Sequence, residues 1–96
     1  VPLELLPGVV DAVGDRTQVY IDGGIMSGTD IVAALAFGAT GTLVGRAYLY
    51  GLMAGGQDGV QRVLDILSKE IKTTLQLMGV TSIDQLDRSM VRLRLY

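Results

Sequence analysis

The sequence predicts an α/β fold in which two short parallel strands flank a helix. Three observations carry this. Two apolar, β-rich runs, Thr17-Gln18-Val19-Tyr20-Ile21 and Thr42-Leu43-Val44, each run into glycine. A helical pattern lies between them, and strand, helix and strand together take about 25 residues, the length of a right-handed βαβ unit. Thirteen glycines against two prolines cut the chain into short alternating elements rather than the long helices of a bundle.

The elements follow in order. Leu5, Leu6, Val9, Val10 and Val13 recur at helical spacing, so a first helix is expected over about 3–13, with Pro7 tolerated near its start and Gly14 as its stop. The first strand closes at Asp22-Gly23-Gly24. Ser27 is placed to cap the next helix, with Asp30 as its capping-box partner; Ile31, Ala34 and Leu35 form the expected inner face, and Gly38 ends it. The second strand closes at Gly45-Arg46. A short helix over 48–54 is broken by Gly55-Gly56. The strongest helix then runs from Gln57 to Met78 on a stripe of Val60, Val63, Leu64, Leu67, Ile71, Leu75 and Met78, and Gly79 terminates it. Thr81 or Ser82 caps a last turn through Leu86. Two parallel strands do not make a stable sheet, so more strands are expected elsewhere.

Composition narrows the function classes. Ninety-six residues make one small domain or one piece of a larger one. At 49% hydrophobic residues and a mean hydropathy of +0.42, a chain this small leaves apolar surface in water if it stands alone. The net charge of −2 gives no electrostatic footprint for nucleic acid. Arg88, Arg92 and Arg94 form a mildly basic tail, read as a solvated terminus. The chain has no cysteine, hence no disulfide or zinc-thiolate site, which fits a reducing compartment; it has no histidine, hence not the commonest general base. No initiator methionine or basic leader opens the sequence, so it is expected to begin in mid-chain.

Two loops draw the chemistry, because each places glycine at the C-terminal end of an expected parallel strand, where α/β folds bind ligands. The first is Asp22-Gly23-Gly24-Ile25-Met26-Ser27-Gly28, whose glycines admit close backbone approach and whose following helix, from about Gly28, would aim free amides at an anion. The second is Gly45-Arg46, which adds amides and a guanidinium suited to phosphate. The plainer account stands beside it: Gly23 and Gly24 serve a tight turn, Asp22 caps a loop amide, and Arg46 is a surface charge. Tyr48 and Tyr50 read as packing residues, and Met53 and Met78 as core fillers. No residue set makes an acid–base or nucleophilic centre.

Several segments taken together add a resemblance. Val19-Tyr20-Ile21-Asp22-Gly23-Gly24-Ile25, Gly28-Thr29-Asp30-Ile31, Ala33-Ala34-Leu35-Ala36-Phe37-Gly38-Ala39, Val44-Gly45-Arg46-Ala47-Tyr48-Leu49-Tyr50-Gly51-Leu52 and Ala54-Gly55-Gly56 occur in order. This resembles the C-terminal part of the FMN-dependent α-hydroxy-acid dehydrogenases and oxidases, the L-lactate dehydrogenase and glycolate oxidase family, and it extends through Ser82-Ile83-Asp84-Gln85-Leu86. The resemblance implies a (β/α)₈ barrel, with this chain as helix 6, strand 7, helix 7, strand 8 and helix 8. It implies FMN as cofactor, its phosphate lined by Asp22, Gly23, Gly24, Ile25 and Met26 from one side and by Gly45 and Arg46 from the other. The family commonly carries Arg where this chain has Met26, which leaves Arg46 as the side-chain cation.

The implied reaction is oxidation of a small 2-hydroxy acid, L-lactate above all, with a His–Asp pair as proton acceptor; this chain has no histidine to supply it. Implied with it are a homo-oligomer and a cytoplasmic location, or one at the inner face of the cytoplasmic membrane with a peripheral membrane or quinone contact. A second reading, from another class, is a non-catalytic phosphate-binding or self-assembling module derived from such a barrel.

Overall fold

Helices take most of the chain and the strands are brief. The computed structural model describes residues 2–93. It holds α1 (Pro2–Val13), β1 (Tyr20–Asp22), α2 (Gly28–Ala36), β2 (Gly41–Leu43) and α3 (Arg46–Met78), then two 3₁₀ turns, Ile83–Gln85 and Arg88–Met90. The strands pair in parallel, with Tyr20 opposite Gly41, Ile21 opposite Thr42 and Asp22 opposite Leu43. Just before the ladder, Thr40 N–H donates to the Val19 carbonyl at 2.6 Å and Val19 N–H donates to Thr40 Oγ1 at 3.0 Å.

β1 is shorter than the run that predicts it, and β2 keeps its length but starts one residue earlier, for local reasons. The amides of Arg16 and Thr17 donate back to the Val13 carbonyl and prolong the exit from α1. At the other end Gly23 turns the chain out of the ladder, so Val44 has no partner residue.

The core gathers where α1 and α2 cover the strands: Leu6, Val19, Ile21, Ala34, Phe37 and Ala39 are buried together. On α1, Leu6 is buried and Val10 and Val13 are half-buried, whereas Leu5 and Val9 are exposed; Pro7 lies beyond the first turn because the helix starts at Pro2. On α2, Ala34 is fully buried as expected, but its fellows are Val32 and Ala36, while Ile31 and Leu35 are only half-buried. The single-stripe expectation fails because α2 is covered by α3, β2 and the Arg88–Met90 turn at once.

α3 is two arms, 46–54 and 57–78, joined at Gly55 (φ −150, ψ 17) and Gly56 (φ 60, ψ −141), the latter a conformation open essentially to glycine alone. It begins at Arg46, two residues earlier than the hydrophobic pattern suggests. The arms meet backbone to backbone: a Cβ on Gly51 would lie 2.6 Å from the Gly59 carbonyl oxygen, and one on Gly59 would collide with the Gly51 carbonyl. Gly79 ends the second arm in the left-handed conformation, φ 77. Ser82 then caps the expected last turn.

Arg88 is exposed, as a solvated tail implies, and its guanidinium lies 3.0 Å from the Asp11 carboxylate and also reaches the Pro7 carbonyl on α1. Arg92 is exposed, and Arg94 lies outside the described residues. Tyr48, Tyr50 and Met53 are exposed on the first arm of α3, Met53 at 74%, because no described part of this chain covers that face; Met78 is half-buried. Among the described residues no helix is long and apolar enough to cross a membrane.

Candidate functional site

Because β1 and β2 are parallel, Asp22 and Leu43 leave the sheet at the same edge, and the loops that follow are brought side by side. Asp22, Gly23, Gly24, Ile25, Met26, Gly45 and Arg46, all singled out from the sequence, line one cavity of about 320 Å³ at that edge. Leu43 joins them; the strand register, which sets it opposite Asp22, is the signal that could have placed it there.

The first wall is a turn that only glycine makes easily. Gly23 and Gly24 have φ of 101° and 77°, a region L side chains rarely enter. At Gly24 and at Gly45 no atom lies within 4 Å of where a Cβ would begin, so the chain itself leaves both positions open.

The N-terminus of α2 does not do what its sequence suggests. Ser27 Oγ accepts from Asp30 N–H at 3.1 Å, and Asp30 Oδ2 accepts from the amides of Met26 and Ser27 at 3.0 and 3.1 Å, a complete capping box. Gly28 N–H donates to Glu70 Oε1 on α3 at 3.1 Å. The Gly28 and Asp30 amides are thereby taken within the chain, so α2 offers an anion fewer free N–H groups than its sequence suggests. Met26 lines the cavity, but its amide is spoken for.

The second wall takes the opposite form. Gly45 is the N-cap of α3 and supplies no side-chain cap, and Arg46, exposed, is the first helical residue. The partial positive charge of the helix end and a guanidinium therefore meet at one cavity wall. Asp22, across the cavity, is a carboxylate acceptor. The arrangement suits a ligand with a phosphate at one end and hydroxyl groups near Asp22: the open glycine positions leave room, the α3 end and Arg46 supply donors, and Asp22 would repel a dianion placed against it.

Comparison with known proteins gives the arrangement a context. A Mycobacterium tuberculosis protein is 53% identical over 95 residues, which is 98% of this chain and 23% of its own length. An L-lactate dehydrogenase of Caulobacter sp. (strain K31) is 49% identical over 86 residues, 90% of this chain and 23% of that protein. Among solved structures, a variant of (S)-mandelate dehydrogenase superposes with a TM-score of 0.89 at 43% identity, covering 95% of this chain and 25% of that one. The chain thus spans about a quarter of the length of these relatives and corresponds to their C-terminal portion. The sequence pattern described as FMN-dependent dehydrogenase matches residues 1–93, and the chain belongs to that family.

Proposed function

We propose that this chain is helix 6, strand 7, helix 7, strand 8 and helix 8 of the (β/α)₈ barrel of an FMN-dependent 2-hydroxy-acid dehydrogenase acting on L-lactate, and that its part is to hold the FMN phosphate. The observation that carries this is the meeting of two glycine-bearing strand exits at one cavity, with a helix end free of side-chain capping and Arg46 on the far wall. Arg46 and the first-turn amides of α3 take the phosphate. Gly23 and Gly24 keep the opposite wall to bare backbone, and Asp22 would accept hydrogen bonds from hydroxyl groups of the cofactor. FMN held there would supply the two-electron acceptor for oxidation of L-lactate to pyruvate. The proton acceptor for the hydroxyl comes from residues outside this chain, which has no histidine.

The exposed face of the first α3 arm, with Tyr48, Tyr50, Leu52 and Met53, supports burial against further strands and helices. The same reading carries a cytoplasmic homo-oligomer, free or resting on the inner face of the cytoplasmic membrane. The test is flavin binding and reduction by the intact protein. Tighter binding of FMN than of riboflavin, with bleaching of the bound flavin by L-lactate under anaerobic conditions, is expected. Equal affinity for the two flavins would overturn the phosphate assignment, and no bleaching by L-lactate the substrate.

A further inference from the structure

Glu70 lies far from the cavity in sequence and does not line it, yet it is bonded to Gly28, two residues past the segment that does. Its Oε1 accepts the Gly28 amide across 42 residues of chain. The contact is close on all sides: a Cβ at Gly28 would lie 2.5 Å from Glu70 Cβ, 2.6 Å from Ile71 N and 2.7 Å from the Leu67 carbonyl oxygen. One turn further on, Thr74 Oγ1 donates to the Glu70 carbonyl at 2.8 Å and lies 3.2 Å from Thr29 Oγ1, a second tie between the same two helices. From Gly28 the connection runs directly back into the cavity wall, since Asp30 holds the amides of Met26 and Ser27. Glu70 and Met26 also share the wall of a smaller cavity together with Ala47 and Tyr50 of the first α3 arm.

α3 therefore reaches both sides of the candidate site. Its first residue, Arg46, forms one wall, and its second arm grips the base of the other through Glu70. We propose that Glu70 is a positioning residue that sets the separation between the Gly23–Met26 loop and Arg46. This rests on the phosphate assignment above.

The test uses the intact protein, freed of flavin, and compares FMN with riboflavin, which lacks the phosphate, for Glu70→Ala and Glu70→Gln. Glu70→Gln keeps an acceptor oxygen for Gly28 and is expected to bind both flavins as the parent does. Glu70→Ala is expected to lose about tenfold in FMN affinity with riboflavin affinity unchanged. Equal losses for the two flavins would mark a general structural role and overturn the proposal, as would an unchanged FMN affinity. If Glu70→Ala does not fold, Glu70→Asp keeps the charge but withdraws it by one methylene, and the same selective loss of FMN is expected. A parent protein with no preference for FMN over riboflavin would sink the phosphate assignment itself, and this inference with it. A parent preference that Glu70→Ala leaves intact would sink this inference alone.

Discussion

Replacing Arg46 with Ala removes the one cationic side chain among the described residues that lines the candidate phosphate cavity, and its cost follows from the donors that remain. Met26 lines the same cavity without charge, and the amide of Met26 already serves Asp30, so Met26 cannot compensate. A hydrogen bond to a charged group contributes about 1.5–3 kcal/mol. Arg46 is exposed, which places it near the lower end, about 1.5–2 kcal/mol, since water screens it. The open end of α3 stays in place and retains about 0.3–1 kcal/mol of attraction for an anion. At 1.4 kcal/mol per decade, Arg46→Ala should raise the Kd for FMN about 10- to 30-fold. The assay is fluorescence titration of FMN into the flavin-free intact protein, with riboflavin as the phosphate-free control. The FMN loss should shrink as ionic strength rises, because the contribution removed is that of an exposed charge. An unchanged FMN affinity, or an equal loss for riboflavin, would refute the reasoning.

Further outcomes can be checked in the same protein. Met26→Arg supplies a second guanidinium at the first wall, so Arg46→Ala should cost less than half as much in that background, measured as a double-mutant cycle on FMN affinity. Gly59→Ala drives a methyl group into the Gly51 carbonyl where the α3 arms cross, and should cost about 2–3 kcal/mol in thermal unfolding, against near neutrality at the open Gly55. Ser27→Ala removes the acceptor for Asp30 N–H and should cost about 1 kcal/mol in denaturant unfolding. The Asp87 carboxyl is held below the usual aspartate value of 3.8 by hydrogen bonds from the Ser89 hydroxyl and amide. The sign is that of a depressed acid: its stabilisation of the Arg88–Met90 turn is complete above that value and is lost as pH falls through the lower folded one. An NMR titration of the Ser89 amide should move only in that acid range; a midpoint at or above 3.8 would contradict the bonding.

What could be read from the residues alone was whatever local chemistry decides. Glycine marked the exits of both strands and the break and end of α3, because backbone conformation at Gly23, Gly24, Gly56 and Gly79 is a property of one residue. Ser27 and Asp30 signalled the capping box, since both partners sit within a turn. Seven of the eight cavity residues, all but Leu43, were legible because parallel strands place their exits at one edge. The filling of α2's end by Glu70 was not legible: the bond joins residues 42 apart and needs the helices to be in contact first. Burial of Val32 in preference to Ile31 depends likewise on α2 being covered from several directions, which no stripe encodes. Tyr48 and Tyr50 read as packing residues at an element end and Met53 as a core filler, but burial belongs to the neighbours an arm finds.

The break at Gly55-Gly56 has a consequence in time as well as in space. Helices shorter than about 12–15 residues are marginal in water, and only the 57–78 arm exceeds that length. The 46–54 arm, capped by no side chain and largely exposed, holds its shape by docking, so its amides should exchange with solvent through small openings while those of the longer arm wait for global unfolding. The guanidinium of Arg46 thus rides on the least protected helical turns of α3. An anion seated there would close them, and slowed hydrogen exchange confined to 46–54 would be its signature.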